Sequence, residues 1–130
     1  MIKQECGKID ISALKTPPRR AEFLTAKFLA NLGKDVVFIE PSQAKNSRTP
    51  DIEMDGIEWE IKCPRANSKY TIQHAFRSAL EQSPNMVFDL RSAKAPTQSK
   101  NRLEFEFEKE KRAKRLIIIL RGGEIIDRLR

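Results

Sequence analysis

Asp51, Glu60 and Lys62 are the residues of this chain best suited to chemistry. Asp51 follows Pro50, and Glu60 and Lys62 flank Ile61 within Ile57-Glu-Trp-Glu-Ile-Lys-Cys63. In an extended segment side chains alternate between two faces. Glu58, Glu60 and Lys62 therefore form one row, with roughly 6.5–7 Å between successive members. Ile57, Trp59, Ile61 and Cys63 form the other, apolar, row. Asp55-Gly56 between two alternating segments is a strong hairpin signal, and such a turn lays Asp51 alongside this strand. Two carboxylates converging from adjacent strands repel each other unless a cation lies between them. Hard oxygen ligands suit Mg²⁺ or Mn²⁺, with water and phosphate oxygens completing the shell. A neighbouring lysine can position an attacking water and offset charge developing on a phosphate. The set reads as a metal-dependent phosphodiester hydrolase; the plainer reading of the acidic row is the exposed face of a half-buried strand.

The elements that must hold these residues follow from the rest of the pattern. Residues 1–18 are mixed, end in Pro17-Pro18 and read as a lead-in arm; residues 19–130 read as a single domain. Arg19 to Leu32 has helical periodicity, with Ala21, Leu24, Phe28 and Leu32 as an apolar stripe. Ala26 and Leu29 lie on the line of Glu22, whereas Arg20, Lys27 and Asn31 form the solvated line. Gly33 stands where a terminating glycine is expected. Val36 to Ile39 predicts a strand, and Pro41 to Thr49 a polar loop leading to Asp51. The hairpin of Asp51–Met54 and Ile57–Cys63 comes next, then a helix from about Ile72 to Gln82 with Thr71 as its N-cap. Met86–Leu90 predicts a strand and Ser92–Lys100 a loop. Leu103–Glu108 alternates like a strand, but its Glu/Lys/Arg-rich continuation favours helix. Arg115–Arg121 predicts a buried strand, turned by Gly122-Gly123 into a last one at Glu124–Leu129.

With 130 residues the chain is one domain with a sizeable core. Its 39% hydrophobic and 33% charged residues suit a globular fold with a charge-rich surface. No apolar run approaches the roughly 20 residues of a membrane span, and the N-terminus has no signal-peptide pattern. Cys6 and Cys63 make neither a disulfide framework nor a zinc spacing, which fits a reduced, cytosolic site of action. The net charge of +7 points to a polyanionic partner. Residues 92–130 hold 11 basic and 6 acidic side chains, so +5 of that charge lies there and +2 in the first 91 residues. Arg48, Arg65 and Lys69 flank the acidic pair on loops, where cations can track a phosphate backbone. His74, the one histidine, could serve as a general acid, as a substrate contact or as a structural residue.

Pro50-Asp51 with Glu60-Ile61-Lys62, on a hairpin that follows a helix and a strand, resembles the PD-(D/E)xK nuclease signature. The predicted α-β-β-β-α-β order resembles that superfamily's α/β core, a central mixed sheet flanked by helices, here followed by a C-terminal β-hairpin. A closer likeness joins the Arg19–Leu32 helix, Thr49-Pro-Asp-Ile52 with Trp59-Glu-Ile-Lys-Cys-Pro64, and Thr71-Ile-Gln73 leading to Gln82-Ser83. Together these resemble the C-terminal tRNase domains of contact-dependent growth inhibition toxins, the CdiA-type effectors. The resemblance implies that Asp51 and Glu60 are metal ligands, with the Ile61 carbonyl a third and Glu22 completing the shell, directly or through water. It implies Mg²⁺, with Mn²⁺ or Zn²⁺ as alternatives, and Lys62 as the residue that activates water. Thr71 and Gln73 become substrate candidates beside Arg48, Arg65, Lys69 and His74. RNA, specifically tRNA, is the implied substrate. An acidic immunity protein is the implied partner of an otherwise monomeric domain, delivered to a target cell's cytosol within a larger secreted toxin. A DNA endonuclease of the same superfamily and a non-catalytic nucleic-acid-binding module are the alternatives.

Overall fold

The structure, a computed structural model, describes residues 6–44, 48–66 and 68–130. The first five residues of the lead-in, residues 45–47 of the polar loop and Asn67 lie outside them. Seven strands form one sheet whose spatial order is the order of the sequence. They are β1 (Ile9–Asp10), β2 (Val36–Phe38), β3 (Ile52–Met54), β4 (Ile57–Lys62), β5 (Asn85–Asp89), β6 (Arg115–Ile119) and β7 (Ile125–Leu129). The helices are α1 (Arg20–Asn31), α2 (Lys69–Gln82) and α3 (Pro96–Lys109). The sheet is mixed: β1 is parallel to β2, β2–β3–β4 run antiparallel, β4–β5–β6 run parallel, and β7 returns antiparallel. The expected α/β class, with a central mixed sheet, flanking helices and a C-terminal hairpin, is what forms.

Alternation along the strands supplies two apolar faces. Ile52, Met54, Trp59, Ile61, Val87, Ile117 and Ile119 pack with Ala26 and Leu29 of α1. Met86, Phe88, Leu116 and Ile118, from the same central strands, pack with Ile72 and Phe76 of α2 and with Leu103 and Phe107 of α3. The domain is thus three layers, with α1 on one side and α2 and α3 on the other. Asp55 and Gly56 both take positive φ, 56° and 78°, as a tight hairpin turn requires. Trp59 is fully buried, and its Nε1–H donates to Met54 O at 3.0 Å, tying the hairpin across its turn.

Four expectations are corrected. Ile9–Asp10, inside the expected lead-in arm, adds a strand to the sheet edge. There the Gly7 backbone lies against Lys34 so closely that a Cβ would collide with the Lys34 carbonyl. The expected stripe of α1 is rotated: Thr25, Ala26, Leu29 and Ala30 are buried, while Ala21, Leu24 and Leu32 are exposed. The buried face carries the small residues Thr25, Ala26 and Ala30, which let the helix approach the sheet closely. Ser92–Lys100 is not wholly loop, because α3 starts at Pro96, where a missing N–H costs nothing and the fixed φ suits a helix. Finally, α2 begins at Lys69 rather than Ile72. Ser68, not Thr71, is its N-cap, its Oγ accepting the Thr71 N–H at 3.1 Å.

Candidate active site

Asp51 is fixed by three hydrogen bonds. Its N–H donates to Trp59 O at 2.9 Å, its carbonyl accepts the Ile39 N–H at 3.0 Å, and its Oδ2 accepts the Ile61 N–H at 2.8 Å. Continuing the β3–β4 register of Ile52↔Trp59 by one residue sets Asp51 opposite Glu60. The segment leading into it is anchored as well, since the Thr49 N–H, two residues earlier, donates to Gln82 Oε1 at 3.1 Å at the end of α2. On the far side Ser83 Oγ donates to Glu58 O at 2.9 Å. The end of α2 therefore holds both the segment that delivers Asp51 and the strand that carries Glu60.

Glu60 is not on an exposed face: the residue is 6% exposed. Lys62 Nζ lies 3.5 Å from its Oε2 and donates to Ser78 Oγ on α2 at 3.3 Å. Its other oxygen, Oε1, is buried with no hydrogen-bond partner among the described residues. Burial first, then the Asp51 carboxylate, push the Glu60 carboxyl up to about 8, with Lys62 opposing. Glu22, on the first turn of α1, is shifted up by the same two causes in the same order, with Arg19 and Lys62 opposing. Three carboxylates thus feel one another across a cleft of 540 Å³ that Glu22, Asp51, Glu60, Ile61 and Lys62 line together. Among the described residues no three His, Cys, Asp or Glu side chains form a ready-made metal cage. The buried, unpartnered Glu60 Oε1 beside Asp51 fits a hard divalent cation.

The remaining expected residues fall in different places. Thr71 and His74 line a second cavity that Lys62 and Cys63 also border. Arg65 lines a third, with Arg20 and Arg91. Lys69 is exposed at the start of α2, its Nζ 5.6 Å from the Tyr70 ring centroid. Arg48 is exposed and Gln73 half-buried, and neither lines any of these three cavities. Sequence reasoning passed over Ser78, the partner of Lys62, and Arg19 and Pro17-Pro18, which line the acidic cleft. For Ser78 a signal existed, since it stands one helical turn past His74.

A further polar cluster sits beside the cleft. Asp89 is buried, takes both Nε and Nη2 of Arg91, and accepts Thr25 Oγ1 at 2.6 Å. Burial alone would raise its pKa, but those partners outweigh it and hold the carboxyl below the usual value. Arg91 also stacks on Phe28, 4.6 Å from the ring centroid, and thereby clamps α1 to the end of β5.

Residues 48–125 match the family model of the contact-dependent growth inhibition CdiA C-terminal domain. No curated protein matches the chain. Among solved structures the fold is similar to that of a chain in the CdiA-CT/CdiI toxin and immunity complex from Burkholderia pseudomallei. The TM-score is 0.69 at 18% identity, over 95% of this chain and 100% of that one. The family match begins just before Asp51 and reaches into β7, so it spans the hairpin, the parallel core and most of the C-terminal hairpin. On that extent the chain belongs to the CdiA C-terminal domain family of contact-dependent growth inhibition.

Proposed function

We propose that this toxin domain is a divalent-metal-dependent ribonuclease of the PD-(D/E)xK type that hydrolyses phosphodiester bonds of tRNA. One observation carries the reading: Asp51 is held opposite a buried Glu60 whose Oε1 has no partner, in an open cleft with Lys62 at 3.5 Å. Asp51 and Glu60 would hold the metal, with the Ile61 carbonyl and Glu22 adjoining; a bound Mg²⁺ would polarise the phosphate and acidify water. Lys62, steadied by Ser78, orients the attacking water and offsets charge on the phosphate. Asp51 cannot swing away, because one of its oxygens holds the Ile61 N–H. The net charge of +7 favours a polyanionic substrate.

The same charge supports an acidic partner, and an immunity protein is the natural candidate because the similar Burkholderia structure is a toxin and immunity complex. The domain would act in the cytosol of a target cell, delivered there within a larger secreted protein. The test is cleavage of total RNA and of plasmid DNA with Mg²⁺, with Mn²⁺ and with chelator, comparing the natural chain with Asp51→Ala. The expected result is metal-dependent loss of a discrete tRNA band, with 5′-phosphate and 3′-hydroxyl ends, abolished by the substitution. Cleavage of DNA alone would replace the substrate, and 2′,3′-cyclic phosphate ends would refute the water mechanism.

A further inference from the structure

Lys62 is shared between the acidic cleft and a second cavity of 580 Å³, within the range of small-molecule sites, roughly 300–1,000 Å³. One wall of this cavity is a single line of α2. Tyr70, His74 and Ser78 stand four residues apart, so they share one side of the helix, and all three border the cavity. Ser78 accepts the Lys62 ammonium, which joins this wall directly to the acidic cleft. Tyr70, at the open end of the line, is 71% exposed. The Lys69 ammonium lies 5.6 Å from the centroid of its ring. The Thr71 hydroxyl and the His74 imidazole add donor and acceptor groups at the rim.

An exposed aromatic ring with a cation over one face, leaving the other for stacking, and hydrogen-bonding groups at its margin together suit a nucleotide. The ring stacks on the base, the ammonium meets a phosphate, and the polar groups reach the base edge. A paired base has both faces covered and could not enter. We infer that Tyr70 is the stacking platform of a subsite for one unpaired nucleobase next to the scissile phosphate, with Thr71 and His74 at the base edge. The inference rests on the nuclease reading for its substrate, and it adds what that reading lacks, a preference for an unstacked base at the cut.

The experiment measures binding by fluorescence anisotropy in an Asp51→Asn background, which keeps an acceptor for the Ile61 N–H and prevents cleavage. The probes are a short labelled single-stranded RNA and the same strand carrying an abasic site at each position in turn. Adding Tyr70→Ala should weaken binding of the intact strand about tenfold, as loss of one stacked base does. Tyr70→Phe, which keeps the ring, should stay within about twofold. One abasic position should bind weakly to the Tyr70-containing protein and be indifferent to Tyr70→Ala. Equal losses for intact strand and every abasic strand, or no loss with Tyr70→Ala, would overturn the subsite. Circular dichroism confirms that each variant is folded, as the exposure of Tyr70 leads one to expect. Cleavage by the natural chain is scored separately. Tyr70-dependent stacking without cleavage would sink the nuclease and keep the base site, and cleavage without Tyr70 dependence would do the reverse.

Discussion

Replacing Glu60 with Gln removes a charge that this fold holds at a disadvantage, and the consequence for stability has a definite sign. Burial and the Asp51 carboxylate raise the Glu60 carboxyl from 4.5 to about 8. The folded chain therefore binds that proton more tightly than the unfolded chain does, and the difference favours folding. The benefit is complete below pH 4.5 and is lost as the pH rises through about 8. Each tenfold change in acidity is worth about 1.4 kcal/mol, so the whole span corresponds to on the order of 5 kcal/mol. Glu22, raised for the same reasons, contributes with the same sign. Urea unfolding in the presence of chelator, from about pH 5 to pH 8.5, reads the effect directly. The natural chain should lose several kcal/mol across that range, and the Glu60→Gln variant should lose much less and become the more stable of the two at alkaline pH. Mg²⁺ should then stabilise the natural chain increasingly as the pH rises, since binding requires ionised carboxylates, and should do little for the variant. Parallel pH curves for the two proteins would refute the argument that burial beside Asp51 strains Glu60.

Two further perturbations test the frame around the site. Gly7→Ala drives a methyl group into the Lys34 carbonyl, so it should destabilise the domain by about 1–3 kcal/mol in thermal or urea unfolding; an unchanged midpoint would mean the β1 edge is not needed. Asp89→Ala removes the carboxylate that Arg91 and Thr25 share and leaves them the Leu24 and Ala21 carbonyls, at a cost of about 2–3 kcal/mol, less than a fully buried pair because Arg91 is partly exposed. The Asp89 contribution should be present at neutral pH and fade as the pH falls below about 4, since its carboxyl lies below its ordinary value. A loss that persists undiminished in acid would contradict this.

The hairpin and its acidic pair were legible in the sequence because two local signals agree there. Asp-Gly sets the turn and strict alternation sets the register, so the pairing of Asp51 with Glu60 needs no information from elsewhere in the chain. Gly33, with φ of 96° at the end of α1, was legible for the same reason. What escaped depends on partners distant in sequence. A two-residue strand such as Ile9–Asp10 has no periodicity and exists because β2 offers an edge. The buried face of α1 is chosen by close packing on the sheet, which exposes Leu24 and Leu32 against their hydropathy. The start of α3 was hidden because Thr97-Gln-Ser-Lys100 reads as loop until Leu103 and Phe107 are seen to pack against α2 and the sheet. At the site, Glu22 joins Asp51, Glu60 and Lys62 in one cleft, whereas the flanking cations scatter over separate surfaces. A loop arginine has no local pattern to say which surface it will meet.

The succession of strands has a consequence for how the chain acquires its shape. Each strand pairs with the one before it, so no strand must wait for a distant segment to complete its ladder. The parallel connections are filled by helices, and the antiparallel ones run from the two-residue turn at Asp55-Gly56 to the longer loop between β2 and β3, so the closure cost differs from one addition to the next. The sheet can be laid down from one end as the chain becomes available, and no step requires threading. Such a topology ties the docking of each strand to the one before it. It also implies that a segment arriving first finds its neighbour next in line, with little opportunity to pair out of order.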